Sequence, residues 1–403
     1  MKPYAYKTTD FGQTWTSLVT PTVEGYAWVL KQDPVKPDLL FLGTEFGLWI
    51  SIDGGKEWAR FTGNLPKVAV HDIAIHPREH DVILATHGRG VYVIDDITPL
   101  RQLSAEMVAS EVVLLPSDPF VMPSTASVQS FAGGDEFVGQ NPPEAALITY
   151  YLKKRHVIGD LKVEIHDREG KLISTLVGGK RKGLNRVEWP MRLPPPKVPP
   201  ADSLAAAFIG PRVPEGEYTV KLIKGKETLT GKVTLVADPR SPHSAEDRAA
   251  QQQLSMRLYR MLENMTYLID STIEIRDQAR ERAKALPKGD KTAKTLEALA
   301  DSYEKLRSEL VSGGEGGIFG GDEKLREHLA SLYAGVTAYD GRPTQTQRER
   351  AETLGKELDA ATARFETLGK NDLPKANAAL EKKGAKPITY KTREEWEAAQ
   401  KKV

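Results

Sequence analysis

The chain has 403 residues, 28% of them charged and 40% hydrophobic. At about 150 residues per domain that length holds two to three domains, and the mixture is globular, not disordered. Lys plus Arg number 56 against 55 Asp plus Glu, a net charge of +1, so the basic field of a nucleic-acid binder is missing. There is no cysteine, which excludes a disulfide scaffold, thiol catalysis and thiolate metal centres. No apolar run approaches the roughly 18 residues of a membrane span.

The first ten residues, Met1 to Asp10, carry no apolar signal-peptide core, and a strand-like pattern starts at once. The expectation is a fragment of a longer gene product. Self-similarity at a period of 43 covers the first hundred residues. Thr8-Thr9-Asp10-Phe11-Gly12-Gln13-Thr14-Trp15 recurs as Ser51-Ile52-Asp53-Gly54-Gly55-Lys56-Glu57-Trp58, and a third step lands on Asp96. The same offset matches Asp33-Pro34 with His76-Pro77, Gly47 with Gly90 and Trp49 with Tyr92. Within one unit, 26–30, 39–42 and 48–51 read as strands between Pro, Gly and Asp turns. Several short strands per repeat of this length predict β-propeller blades.

The two octapeptides resemble the Asp-box (BNR) motif of sialidase-like and sortilin-type propellers, whose chemistry is structural. Asp10, Asp53 and Asp96 accept backbone N–H groups across a turn, Gly12 and Gly55 permit positive φ, and Trp15 and Trp58 pack between sheets. Further strings extend the likeness from Tyr4 to about Arg101: Leu42-Gly43-Thr44-Glu45, Asn64-Leu65-Pro66, Val70-His71-Asp72 and Ala85-Thr86-His87-Gly88-Arg89-Gly90. They resemble the last blades of large bacterial secreted sortilin-type proteins, often labelled glycosyl hydrolases. The resemblance implies an extracellular or periplasmic protein, further blades upstream of Met1, and an Ig-like domain and helical tail downstream.

From Ala146 alternating strands at 147–152, 161–167, 172–176, 183–189, 216–222 and 231–236 predict a small β-sandwich. Gly183-Leu184-Asn185-Arg186-Val187-Glu188-Trp189 resembles flagellar hook-cap-type Ig-like domains. The proline-rich run 194–214 interrupts it, and Asp238-Pro239-Arg240 marks the exit. Ser244 or Asp247 then caps a helix in which Leu254, Leu258, Met261, Met265, Leu268, Thr272, Ile275 and Ala279 form a heptad stripe. Leu296 to Leu310, Leu325 to Leu332 and Leu354 to Leu368 repeat the pattern, the last after Pro343-Thr344. The fold expected is multidomain, β then α: last two to three blades at 1–103, an Ig-like sandwich with linker at 104–240, an antiparallel helical bundle at 241–389, and a flexible charged tail at 390–403.

Candidate chemistry is sparse. His71, His76, His80 and His87, with Asp72 and Asp81 nearby, match no metal-ligand spacing, so neither metal nor cofactor is expected. His71, Asp72, His87 and Arg89 are the candidate binding residues. Arg89 either clamps a carboxylate or acidic sugar or pairs with Asp95 or Asp96 to hold the fold. Glu24, Glu45, Asp72 and Asp81 are available as carboxylates, yet no motif assigns an acid and a base. The glycine-rich run 313–321 lacks the ending of a phosphate loop. The reading is a non-catalytic binding and scaffolding chain for a protein or polysaccharide ligand, with no nucleic acid and no membrane span. The alternatives are part of a glycoside hydrolase whose catalytic blades lie upstream, and an assembly or chaperone-like factor.

Overall fold

The computed structural model describes residues 2–124, 143–199, 207–312 and 323–400; the glycine-rich run at 313–321 and part of the proline-rich run lie outside them. β-sheets occupy the first part of the chain and helices the last. Residues 2–120, 143–190 and 217–235 make one compact unit, and 121–124, 191–199, 207–216, 236–312 and 323–400 make a second. Among the described residues no helix is long and apolar enough to cross a membrane.

The 43-residue period is visible in the backbone of the first unit. Strands β1 (Tyr6–Lys7) and β2 (Thr16–Ser17) form one antiparallel pair. β3 (Ala27–Gln32), β4 (Leu40–Thr44), β5 (Gly47–Ser51) and β6 (Ala59–Arg60) make a four-stranded meander. β7 (Val70–Ile75), β8 (Val82–Thr86) and β9 (Val91–Ile94) make a three-stranded one. β2 and β6 occupy equivalent positions, as do β3 and β7, and both first strands carry a register break at the same place, after Ala27 and after Val70. The sheets described form no closed barrel or ring. Apolar side chains from the two larger sheets meet in one core: Leu39, Phe41 and Leu48 pack with Val70, Ile73, Val82, Leu84 and Ile97.

Both octapeptides close the same hydrogen-bonded turn. In the first, the Thr14 amide donates to Asp10 Oδ1 at 2.9 Å and the Gly12 amide to Thr8 Oγ1 at 2.8 Å. In the second, the Glu57 amide donates to Asp53 Oδ1 at 3.0 Å and the Gly55 amide to Ser51 Oγ at 2.9 Å. Gly12 and Gly55 take φ of 92° and 91°, where a Cβ is strained. Hydrogen bonds from Thr14 and Thr8 hold the Asp10 carboxyl down at about 2. The third copy departs from the pattern. Among the described residues Asp96 accepts a single backbone amide, that of Thr98, and the chain turns into α1 (Thr98–Gln102) and then α2 (Ala105–Ala109).

Helix α1 is locked to the four-stranded sheet by charge. Arg101 donates three hydrogen bonds of 2.9–3.2 Å to both oxygens of Asp33, with the two side chains 9% and 0% exposed. Burial alone raises the Asp33 carboxyl, but the bonds from Arg101 and from the Lys36 and Val35 amides outweigh it and hold it below its ordinary value. At the equivalent turn of the next repeat His76 replaces Asp33, and its Nδ1 accepts the Glu79 amide as Asp33 accepts that of Lys36.

The remaining strands form two facing sheets. β10 (Val112–Leu114), β12 (Ala146–Leu152) and β15 (Gly183–Trp189) make one. In the other, β17 (Glu227–Ala237), β16 (Gly216–Lys224), β13 (Leu161–His166) and β14 (Leu172–Val177) run in that order, with β11 (Phe120–Met122) beside β17. Inward residues alternate as period-2 strands demand: Asn185, Val187 and Trp189 on β15, and Tyr218, Val220 and Leu222 on β16. Trp189 meets Tyr218 edge-to-face at 5.0 Å.

The second unit is built on α3 (Ala245–Lys284), α4 (Lys291–Leu310), α5 (Leu325–Thr337) and α6 (Gln345–Glu381). Ser244 and Asp247 form a reciprocal capping box at the start of α3, satisfying two amides that a helix start leaves bare. All eight residues of the predicted α3 stripe are buried in a core shared with the other three helices. Helix α6 runs through Pro374. The broken hydrogen bond costs about 3 kcal/mol, and burial of Leu373, Ala376 and Leu380 beyond it compensates. Within the segment expected to be a flexible tail, residues 393–400 form a helix that contacts α3. α7 (Arg393–Gln400) buries Trp396, whose Nε1 donates to Asp270 at 2.9 Å. Arg393 stacks over Trp396 and Tyr267 at 5.0 and 5.3 Å.

Candidate functional site

The register breaks in β3 and β7 set the most distinctive surface of the first unit. A bulge turns its residue out of the ladder and re-aims the side chain. The bulged residues are Trp28 and His71, equivalent positions of successive repeats, and their rings stack at 4.3 Å. His71 in turn lies 5.3 Å from the ring of His87, in the turn after β8, and Tyr26 meets the edge of Trp28 at 5.0 Å. Four rings therefore form one row, Tyr26–Trp28–His71–His87. Trp28 stays 47% exposed, and both histidines are exposed.

The structure thus brings His71 and His87 together and keeps both on the surface. The His87 turn is fixed by its backbone: the His87 amide donates to Ala69 O at 2.9 Å, and the Thr86 amide and hydroxyl both reach Gly90 O. Arg89 sits in this turn, exposed, and has no ion-pair partner among the described residues. Asp95 and Asp96 are engaged elsewhere: Arg186 donates to the carbonyls of both and pairs with the Asp96 carboxylate at 3.7 Å. Asp72 is exposed and folds back on its neighbour, accepting the Ile73 amide at 2.8 Å. Burial, reinforced by Asp81 and Asp96, pushes the Asp95 carboxyl up.

The residues of the two octapeptides lie apart from the row and close the turns described above. Trp58 is 7% exposed and Trp15 61%. The difference has a direct cause: Trp58 Nε1 donates to Leu18 O of the preceding repeat at 2.7 Å, whereas Trp15 Nε1 reaches only its own turn at Gly12 O. Tyr26 and Trp28 escaped the sequence reading. The signal was present, because stepping back 43 residues from the candidate His71 lands on Trp28. The turn equivalent to His87–Arg89 holds Phe46 instead, with Lys67 Nζ 4.5 Å above its ring and Lys67 paired to Glu24 at 3.9 Å.

Chemically the row offers exposed π-faces, imidazole N–H groups and, in the adjoining turn, a guanidinium. It suits stacking on a ring with apolar faces and polar edges, with charge-assisted hydrogen bonds to a carboxylate or hydroxyl. No group of three or more His, Asp and Glu side chains arranged to hold a metal occurs among the described residues. A cavity of about 410 Å³ in the second unit is a weaker candidate. Its charged side chains are already paired: Arg248 with Glu215, Arg212 with Asp340 at 3.5 Å, and Asp238 with Arg240 at 2.9 Å.

No family model matches the chain, and no curated protein matches it. Among solved structures it is similar to CopC from Methylosinus trichosporium, at 13% identity over 24% of this chain and 80% of that one, with a TM-score of 0.15. A Salmonella alpha-2-macroglobulin aligns at 12% identity over 51% of this chain and 12% of its own, with a TM-score of 0.20. The BSP domain of a biofilm associated protein aligns at 8% identity, over 55% of this chain and 26% of that one, with a TM-score of 0.18. Similarity this slight carries no argument about fold or function.

Proposed function

We infer that the chain is a non-catalytic recognition module that binds polysaccharide through the Tyr26–Trp28–His71–His87 row. The observation that carries the reading is that row: four rings in successive contact, the middle two on equivalent bulges, with a large indole left partly in solvent. A fold that needed those rings as core has no reason to leave Trp28 half open, since burying a side chain of that size is strongly favourable. Arg89, in the turn beside His87 and without an ion pair among the described residues, extends the preference to acidic sugars such as uronic acids.

In this reading the three repeat units are successive blades of an Asp-box propeller, and the two facing sheets are an Ig-like spacer. The protein is a secreted one whose further blades precede Met1. The exposed Trp15 supports the last point, because its equivalent Trp58 is covered by the repeat before it. The test is calorimetric titration of the protein with neutral and uronic-acid-containing oligosaccharides. Trp28→Ala weakens binding at least about tenfold, as expected for loss of one stacking ring, with the melting temperature unchanged. Arg89→Ala weakens only the acidic ligands. Equal binding by wild type and Trp28→Ala overturns the assignment. Release of reducing ends during the incubation would point instead to a glycoside hydrolase.

A further inference from the structure

At one end of the two facing sheets, the loop 153–160 (Lys-Lys-Arg-His-Val-Ile-Gly-Asp) and the loop 178–183 (Gly-Gly-Lys-Arg-Lys-Gly) lie side by side. The His156 amide donates to Lys180 O at 3.0 Å, and Lys180 Nζ returns a bond to Gly159 O at 2.8 Å. Together they carry six cations in a chain whose net charge is only +1. Lys153 and Lys180 spend their ammonium groups on the backbone carbonyls of Ala109 and Gly159. Lys154, Arg155, Arg181 and Lys182 are exposed, and none of the four forms an ion pair among the described residues. The one acidic residue in either loop is Asp160, whose carbonyl binds the neighbouring turn at Gly225.

Among these cations stand three aliphatic side chains almost wholly in solvent: Val157, Ile158 and Val177, at 77%, 85% and 87% exposure. The loops that bear them are held firmly. Tyr150 Oη donates to Gly179 O at 2.6 Å, and buried Asn185 ties down the second loop through three bonds, with the Arg181 amide, Arg181 O and Gly183 O. This accounts for Asn185 in the Gly-x-Asn-x-Val-x-Trp string. Its side chain presents a rigid cationic loop.

We propose that this end of the module docks on an anionic lipid bilayer, with Val157, Ile158 and Val177 entering the headgroup boundary and Lys154, Arg155, Arg181 and Lys182 contacting lipid phosphates. Charge complementarity selects an anionic partner, and the aliphatic tips select a bilayer among anionic partners. A soluble polyanion gains nothing from three exposed aliphatic chains, whereas an interface rewards their burial. Basic residues around them draw the surface to the lipid charge within a Debye length. This contact is peripheral and independent of the aromatic row.

The experiment is co-sedimentation of the whole chain with vesicles of phosphatidylcholine, with and without phosphatidylglycerol. Binding is expected only to vesicles containing phosphatidylglycerol. Lys154→Gln with Arg155→Gln weakens it about 30-fold, as two surface cations should. Val157→Ser with Ile158→Ser weakens it about tenfold by removing the inserted apolar area. All four side chains lie largely in solvent, so circular dichroism and melting are expected to match wild type, and Lys182→Gln provides an independent variant. No binding, or equal binding to both vesicle types, overturns the proposal. So does binding that heparin displaces and the double serine variant leaves unchanged, an outcome that identifies a soluble polyanion as the partner.

Discussion

Removing the Arg101 guanidinium tests whether helix α1 and the four-stranded sheet are joined as described. In Arg101→Met the Asp33 carboxylate stays buried but loses three charge-assisted bonds. Breaking one partner of a buried pair costs about 3–5 kcal/mol. The Val35 and Lys36 amides still donate to Asp33 Oδ1 at 2.9 and 2.7 Å, which places the expected loss near the lower limit, about 3 kcal/mol. The protein has two compact units, so a global melting curve mixes them, and native-state hydrogen exchange of peptides from β3 to β5 is the better assay. About 3 kcal/mol corresponds to roughly 150-fold faster exchange there, with α3 to α6 unaffected. Adding Asp33→Asn to Arg101→Met removes the stranded charge and recovers most of the loss. The pH dependence follows from the sign of the shift. The folded Asp33 carboxyl lies below its unfolded value, so its stabilisation is present at neutral pH and is lost as pH falls below about 4. Arg101→Met flattens that dependence. A loss below about 1 kcal/mol, or the same loss in the double variant, refutes the account of a charge needing its partner.

Trp58→Ala should cost about 3–5 kcal/mol as a buried large-to-small change, whereas Trp15→Ala, at the equivalent position, should stay within about 0.5 kcal/mol; urea unfolding of both variants compares them directly. Gly55→Ala combines a φ of 91° with a Cβ 3.0 Å from Leu18, and is expected to destabilise the first unit where Gly170→Ala, with open space around it, pays only the backbone strain; thermal melts of the pair separate clash from strain. Ser244→Ala removes half of the α3 capping box and should cost about 1 kcal/mol, read as faster exchange in the first turn of α3. Arg342 and Ser244 hold Asp247 at about 2, below its ordinary 3.8, so this stabilisation exists above pH 3.8 and disappears as pH falls toward 2. Asp247→Asn should remove that part of the acid sensitivity in a pH titration followed by circular dichroism.

The helices and the repeat were legible because each is enforced by many residues at once. The α3 stripe sets a side chain at heptad spacing over residues 254–279, all apolar but Thr272, and a pattern that long has few other solutions. The two octapeptide turns were legible because Ser/Thr, Asp and Gly perform a local task at fixed spacing. Elements built by distant partners were not. The two-residue strands β1 and β2 have no periodicity of their own. α1 is held by Asp33, far upstream in sequence, and α7 hides one buried Trp396 in a charged segment. A pairing of Arg89 with Asp95 or Asp96 was one of its two readings, but Arg186, some ninety residues away, reaches them, and no spacing rule reports such a contact.

The candidate site was half legible for a related reason. A repeat duplicates both the positions that build the fold and the positions that project from it, and the two kinds answer to different demands. Asp10 and Asp53 recur unchanged because each must receive amides across the same turn. Trp28 and His71 also share a position, a bulge and a ring stack, yet they differ chemically, as do Phe46 and Arg89 in the turns that follow. Scaffold positions therefore announce themselves as identity between repeats, and surface positions as difference held on identical geometry. Seeking the second signal leads from His71 to Trp28 without a structure. It also locates the aromatic row where the backbone repeats and the side chains do not.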